Sequence, residues 1–400
     1  MPNALLTPTA VIRKALQILH QKLTFAGGIH RGYDDSFAKS GAKIGDTLKI
    51  RLPNQYTVRS GATLATQDTN EQSVSLQVST QKGVDLNFTS VDRTLSLDDF
   101  SERILEPAMA VLAASIEADA LSMYKDVYQL VDGDAAAIAL SHFLTGRQYL
   151  NESLTPQDNS RTALLTPTHA NKLVDGLKGL FQDSEAIAKQ YREGMMGRTA
   201  GFNFGETTHL NTHLTGSAAK VTTYTVNGAV TTNGASQVTV QTGATTFKKG
   251  DVFTVVGCNM VHPETKVDIG RLQQFVVTAD YAGGAGNLQF APAIYTSTGR
   301  QNVVAAGMAN GAAITKVGAG ANELLTNSMV FHKDAFTLAT ADLVMPEGVD
   351  FAAREVYDGI SMRVVRAYDI NNDQFPCRLD VLYGYKTIRP QLACRVHADG

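Results

Sequence analysis

A chain of 400 residues with 44% hydrophobic and 18% charged residues has the length and composition of a globular protein of two or three domains, not of a disordered one. A formal net charge of -3 gives no overall basis for wrapping nucleic acid, and no apolar run approaches the roughly eighteen residues of a membrane span. Cys258, Cys377 and Cys394 are odd in number and widely spaced, which argues against a disulfide framework or a cysteine-based zinc site and fits a reducing compartment.

In chain order, residues 1–33 carry Arg13, Lys14, Lys22 and Arg31 with no acidic residue before Asp34. Val11, Ile12, Ala15, Leu16, Ile18 and Leu19 recur at helical spacing, so a short basic amphipathic helix is expected, followed by a glycine-containing arm. Its basic side is either an ordinary solvated face or a surface turned toward something anionic. Arg13 and Lys14 interrupt the apolar run and no small-residue cleavage site follows, so the segment is expected to be retained rather than removed as a signal peptide.

From 43 to 92 the pattern changes to period two, with Ile44, Leu48, Ile50 and Leu52, then Val74, Leu76 and Val78, then Val84, Leu86 and Phe88. These are expected strands. The polar stretch 53–73 between them cannot form a core of its own, and a long hairpin with such a tip is marginal in isolation. It is expected to find its packing on a neighbouring molecule. Ser96 and Asp99 resemble a capping box for a short helix, and Pro107 suits the first turn of a longer one over 107–131. Two further helices are expected at 135–151 and 168–193, with a strand at 162–168 between them and a glycine-punctuated loop and strand over 193–212.

Composition then shifts. From Leu214 to Phe247 the only charged residue is Lys220, and short alternating runs at 221–226, 237–242, 252–256 and 274–279 signal a small all-β unit lasting to about residue 320. Strands at 360–369 and 378–388 follow, so this block reads as an insertion in a mixed chain. In the stretch 327–343, His332, Lys333 and Asp334 stand side by side like a catalytic cluster. The simpler reading ends a strand at His332 and makes Asp334 the N-cap of a helix from Ala335, burying Phe336, Ala339 and Leu343 on one face.

Tests for chemistry fail in turn. No Walker-type loop, HExxH or GxSxG motif occurs, and the glycine-rich turns 283–287 and 318–322 lack the strand–helix context of a dinucleotide site. His209 and His213 sit four apart, but the flanking Thr and Asn disfavour a helix and no further ligand stands close by. The carboxylates of Asp98, Asp99, Glu117 and Asp119 fall on expected helices, where solvated or capping roles are the default.

Five segments taken in order, 105–121, 161–173, 192–204, 327–343 and 376–396, resemble the major capsid proteins of tailed double-stranded DNA bacteriophages, with the Hong Kong ninety-seven-type coat fold. The resemblance implies an α+β phage major capsid fold. It would comprise a basic N-terminal arm (1–42), an extended hairpin loop (43–92), a peripheral-domain spine helix (93–134), an axial domain (135–216 and 323–368) and peripheral return strands (369–400). The block 217–322 resembles the inserted β-barrel domain of short-tailed, Salmonella-type phage coat proteins, and taking out its 106 residues leaves 294 of 400, a plausible size for the bare coat fold. That group pairs subunits through charged loops of the insertion. Here no acidic residue precedes Asp251 in the block, so only the domain is carried over.

The resemblance further implies a self-assembling icosahedral shell of hexamers and pentamers that matures from a procapsid as DNA is packaged. Its partners would be other copies of the chain, a scaffolding protein, a portal protein and DNA held by nonspecific contacts, with a decoration protein as a further candidate. It would be located in the virion capsid after assembly in the host bacterial cytoplasm. No enzymatic role, cofactor, metal or membrane is expected. Arg13, Lys14, Lys22 and Arg31 would face the interior, and Tyr56, Arg59, Asp68 and Glu71 would make inter-subunit contacts at the hairpin tip. One branch of the family cross-links subunits by Lys–Asn isopeptide bonds. Lys49, Lys82, Asn371 and Asn372 lie in comparable regions here, but such residues are common there by chance. The competing readings are a bacterial nanocompartment shell, which usually lacks such an insertion, and a carbohydrate-binding or adhesive surface protein. The latter requires exposed aromatics among Tyr224, Phe247, Phe253, Phe275, Tyr281, Phe290 and Tyr295.

Overall fold

In a computed structural model of the chain, the described residues are 8–33, 47–59, 61–64, 66–67, 71–88, 101–177, 197–210, 212–318, 320–349, 351–371 and 375–399. They divide into two compact units, one of residues 1–50, 73–121 and 336–388 and one of residues 51–72, 122–335 and 389–400.

The first unit is organised by the 13-residue strand Phe375–Thr387. One edge of it takes Phe336–Ala341 and Ile360–Arg366 end to end, and the other takes Thr80–Phe88, all antiparallel. His30–Tyr33 pairs in parallel with Phe336–Ala341, and Phe351–Tyr357 pairs antiparallel with the outer edge of Ile360–Arg366. Helix α1 (Pro8–Lys22) buries Val11, Ile12, Ala15, Leu16, Ile18 and Leu19 against helix α2 (Glu106–Leu121) and the strand Phe351–Tyr357. The helical spacing read from the sequence is therefore the spacing of its buried stripe. Thr47–Leu52 and Gln72–Gln77 pair as a two-stranded ribbon. Leu48, Ile50, Leu76 and Val78 at its base pack on Ala339, Ala341, Leu343 and Leu382.

In the second unit a seven-stranded sheet runs Leu130–Ala137, Ala393–Asp399, Leu324–His332, Arg161–Leu165, Phe202–Glu206, Arg198–Thr199, with Thr212–Leu214 paired to the start of Leu324–His332. Helices α3 (Leu140–Glu152) and α4 (Pro167–Leu177) cover one face through Phe143, Leu150 and Leu173, which pack on Ala163, Val330, Cys394 and Val396. The inserted block is a closed barrel in the order Val221–Val226, Ala235–Gln241, Gly286–Ile294, Asp268–Val277, Val252–Val261, Ala313–Val317. Closure removes the sheet edges that would otherwise invite pairing with other chains. Its interior is filled by Tyr224, Phe247, Phe253, Phe275 and Phe290 among aliphatic residues. Tyr128, Leu130, Val252 and Val276 then form a separate small cluster between barrel and sheet.

Several elements differ from the sequence reading. Helix α2 ends at Leu121, about 24 Å long at 1.5 Å per residue rather than spanning 107–131. A 3-10 turn, Ser122–Asp126, and the strand Leu130–Ala137 follow it. The aromatic and β-branched residues after 122 favour a strand, and parallel pairing of Leu130–Ala137 with Ala393–Asp399 fixes it. The same pairing takes residues 135–137 out of the expected helix, so α3 begins at Leu140. The strand Thr80–Phe88 leaves the hairpin and joins the six-stranded sheet. Ser96, Asp98 and Asp99 and the later part of the helix expected at 168–193 lie outside the described residues.

The largest correction concerns Asp334. No helix begins at Ala335; a single 3-10 turn, Lys333–Ala335, leads into the strand Phe336–Ala341. All six residues of that strand are buried, and a strand covered on both faces reads as a continuous apolar run that can be mistaken for a helix. The hydroxyls of Thr337 and Thr340 are satisfied inside the sheet, donating to the carbonyls of His30 and Gly359, each at 3.0 Å.

Candidate functional site

The hairpin is polar and exposed, yet internally ordered. Gln67 holds Thr57 by a reciprocal pair of bonds: its Nε2 donates to the Thr57 carbonyl at 2.6 Å and its Oε1 accepts the Thr57 amide at 2.9 Å. Arg59 turns inward and donates to the carbonyls of Gly61 and Thr63. Glu71 pairs across the ribbon with Arg51 at 3.2 Å. Thus Arg59 and Glu71, two of the expected tip contacts, are engaged inside the hairpin. Tyr56 stands 55% exposed, and Asp68 lies outside the described residues. What the tip presents instead is Val58, 95% exposed, and Leu64, 79% exposed. Sequence reasoning passed over both because each is a lone apolar residue in a polar run. Only the closed tip shows that both remain in solvent.

The basic residues of the amino-terminal segment are largely neutralised within the first unit. Arg13 lies 3.3 Å from Glu355, Lys22 lies 3.2 Å from Glu106, and Arg31 lies 2.7 Å from Asp358, which also takes His20 at 2.7 Å. Lys14 is half-buried on α1. The segment continues into a helical turn, Phe25–Gly28, whose Thr24 makes no side-chain cap. Glu117 of α2 replaces that cap, accepting the amides of Phe25 and Ala26 at 3.0 and 2.9 Å. It is fully buried, and burial raises its pKa against the lowering effect of the amides. It is therefore neither solvated nor a cap for its own helix. Asp119, two residues on, takes Lys82 Nζ and the Tyr383 hydroxyl, each at 2.6 Å, tying α2 to the sheet. Lys82, a candidate for cross-linking, is thus occupied inside the subunit; Asn372 lies outside the described residues.

A third constellation joins the barrel to its sheet. Tyr124 donates to His213 Nδ1 at 3.2 Å, leaving Nε2 to carry the proton that reaches Asp251 Oδ1 at 2.8 Å. Asp251 Oδ2 accepts the amides of Gly216 and Lys248 at 3.0 and 2.8 Å. Burial pushes the Asp251 carboxyl up, but His213, the two amides and nearby Lys316 together hold it below the usual carboxylate value. Lys316 Nζ donates to the carbonyls of Gly216, Ala218 and Gly320, at 3.3, 2.9 and 2.7 Å, so one ammonium ties the incoming chain to the outgoing one. Backbone bonds from Thr215 to Glu323 and from Asn322 to Gly216, each at 3.0 Å, zip the same two crossings together. Arg395 of the sheet donates to the Gly250 carbonyl at 2.9 Å, its pKa lowered to about 10 by burial. Around this centre Gln274 bonds both backbone groups of Leu130 at 2.8 and 2.9 Å, as a strand would. Arg271 pairs with Glu152 at 2.8 Å and stacks 4.0 Å from the Tyr149 ring.

His213 is therefore a buried structural histidine, and the spacing to His209 has no ligand geometry behind it. Among the described residues, no group of three or more His, Cys, Asp or Glu is placed to hold a metal. His332 is likewise buried. Its Nε2 lies 3.2 Å from Asp158, and its Nδ1 accepts the Asp334 amide at 3.2 Å. Asp334 therefore meets the histidine through its backbone amide, and its carboxylate caps no helix. The three cysteines are buried free thiols, pushed by burial up to about 12, 11 and 12 for Cys258, Cys377 and Cys394, which leaves them unreactive. No helix among the described residues is long and apolar enough to cross a membrane.

The geometry thus offers exposed Val58 and Leu64 on the hairpin and buried ionisable groups tied to partners within each unit. A family model described as P22 coat protein, gene protein 5, matches residues 3–395, and the chain belongs to that family. It is a major capsid protein of a bacteriophage, the protein that forms the shell. Among solved structures, a chain of Mycobacterium phage Che8 is 14% identical with a TM-score of 0.49, over 94% of this chain and 90% of that one. A virus-like particle from Pyrococcus furiosus is 6% identical with a TM-score of 0.38, over 96% of each chain. The CUS-3 coat protein I-domain is 27% identical over 25% of this chain and 97% of that one, with a TM-score of 0.20. None of the curated proteins matches the chain. The carbohydrate-binding alternative is not favoured, because Tyr224, Phe247, Phe253, Phe275 and Phe290 fill the barrel interior and offer no face to a sugar.

Proposed function

We propose that this chain assembles as hexamers and pentamers around a scaffolding protein into a procapsid that takes up double-stranded DNA through a portal and matures in the host cytoplasm, without catalysing a reaction. The observation that carries the reading is the hairpin, which leaves Val58 and Leu64 exposed; a second copy of the chain would cover them. Residues 1–42 then serve as the arm, 43–92 as the hairpin region, 93–134 as the spine, and 135–216 with 323–368 as the axial part. Residues 217–322 form the insertion and 369–400 the return strands. Because Arg13, Lys22 and Arg31 are paired with acidic residues, contact between this segment and DNA is weak and dispersed, and its salt dependence is correspondingly shallow. Electron microscopy of the purified chain, alone and with a scaffolding protein, tests the proposal. Closed shells of defined diameter are the expected product, and a chain that stays monomeric at every concentration in both conditions contradicts it.

A further inference from the structure

Residues 295–302 of the barrel form a loop held stiff by three independent ties. Asn302 accepts the Tyr295 amide through Oδ1 and donates through Nδ2 to the Ala293 carbonyl, each at 2.8 Å. Lys266 Nζ donates to the carbonyls of Pro263, Gly299 and Gln301 at 2.5, 2.7 and 3.3 Å. The Arg300 guanidinium lies 4.1 Å from the centre of the Tyr295 ring. A loop braced in this way acts as a fixed surface.

Both strands of the hairpin meet that surface. A Cβ built on Gly299 would stand 2.7 Å from the Gln55 carbonyl oxygen and 3.3 Å from the Tyr56 Cα, and its three nearest neighbours all belong to the hairpin. Gly299 is not among the residues of positive φ, so the missing side chain serves this close approach rather than a turn. Beside it, Arg300 Nη2 donates to Gln72 Oε1 at 2.6 Å, holding the returning strand. A cavity of about 810 Å³ remains along this seam, lined by Leu52, Tyr56 and Gln72 of the hairpin and by Met260, Tyr295 and Arg300 of the barrel. Protein cores are close-packed, so a contact that keeps such a cavity is separable rather than permanent.

We propose that this loop is a rest for the hairpin of the same chain, holding residues 53–56 and 72 so that the tip, with Val58 and Leu64, is presented in one direction to a second copy of the chain. The rest itself is a property of the single subunit; the presentation to a second copy rests on the shell reading above. The barrel thereby acquires a role in assembly that requires no contact of its own with a neighbouring subunit.

Hydrogen exchange on the purified full-length chain tests the rest. Gly299→Ala intrudes on the hairpin at Gln55 and Tyr56, and Arg300→Ala removes the bond to Gln72 while keeping Gly299. In both, amides of 51–59 and 71–77 are expected to exchange about fivefold faster, with barrel strands 252–261 and 268–277 unchanged as the control for folding. Assembly of the same variants is expected to give slower or misshapen shells. Unaltered hairpin exchange in both variants overturns the rest. Faster exchange with shells identical to the wild type overturns its role in presentation. A wild-type chain that forms no shells overturns the shell reading instead, and the exchange data still decide whether the rest exists.

Discussion

Glu117 and Asp251 are both buried carboxylates, and they bear on stability with opposite sign. Glu117 accepts the amides of Phe25 and Ala26, but burial outweighs those bonds and raises its folded pKa above 4.5. Its protonated form is the one the fold favours, so its contribution to stability falls as pH rises from about 4.5 through the folded value. Glu117→Ala leaves two buried amides unsatisfied and is expected to lower unfolding free energy by about 2 kcal/mol or more. Glu117→Gln should retain an acceptor and lose the pH dependence; chemical denaturation across pH measures both. The folded pKa of Asp251 lies below 3.8, so the stability it lends is present above that value and lost as pH falls through the folded one. Asp251→Ala strands buried Lys316 and His213 and is expected to cost about 3–5 kcal/mol, with a shallower acid-induced fall in melting temperature than the wild type. Neither role was legible in the sequence, because Glu117 meets amides 92 and 91 residues away and Asp251 meets His213 and Gly216 at 38 and 35 residues, partners that only the fold brings near.

At the scale of elements, the amphipathic stripe of α1, the alternating strands and the all-β block were all readable from periodicity. Failures cluster where periodicity is ambiguous. Residues 336–343 carry Phe336, Ala339 and Leu343 at helical spacing, but the segment is a strand buried on both faces, and only its two partners in the sheet distinguish the cases. The hairpin was read as a polar tip with charged contacts; closure by Thr57, Gln67 and Arg59 reverses the emphasis toward Val58 and Leu64. Val58→Asp and Leu64→Asp are therefore expected to leave the melting temperature of the subunit within about 1 °C, since surface changes lie within about 0.5 kcal/mol. They should also reduce shell yield severalfold in light-scattering assembly assays. Normal yield from the double variant would show that the tip's apolar groups make no inter-subunit contact.

For the whole molecule, the barrel is an insertion whose two crossings are zipped together at Gly216, Gly320 and Asn322, so the sheet that carries it is interrupted at one point only. It is nevertheless not a passive addition. Replacing 217–322 by a short linker would uncover Tyr128 and Leu130 and leave the Arg395 guanidinium without the Gly250 carbonyl. The truncated chain is expected to be less stable by several kcal/mol, on the scale of a buried charge left without its partner, and more prone to aggregation; refolding yield and melting temperature check this. The sequence by itself determined the helix of the amino-terminal segment, the strands of the hairpin region, the inserted β block and the family resemblance, because helical and strand periods and the order of segments are local or linear properties. Only the tertiary structure decided where α2 stops, that Asp334 caps nothing, that His213 serves the barrel's attachment, and which tip residues face solvent. Burial, pairing and charge compensation depend on residues that are remote along the chain and meet only when it is folded.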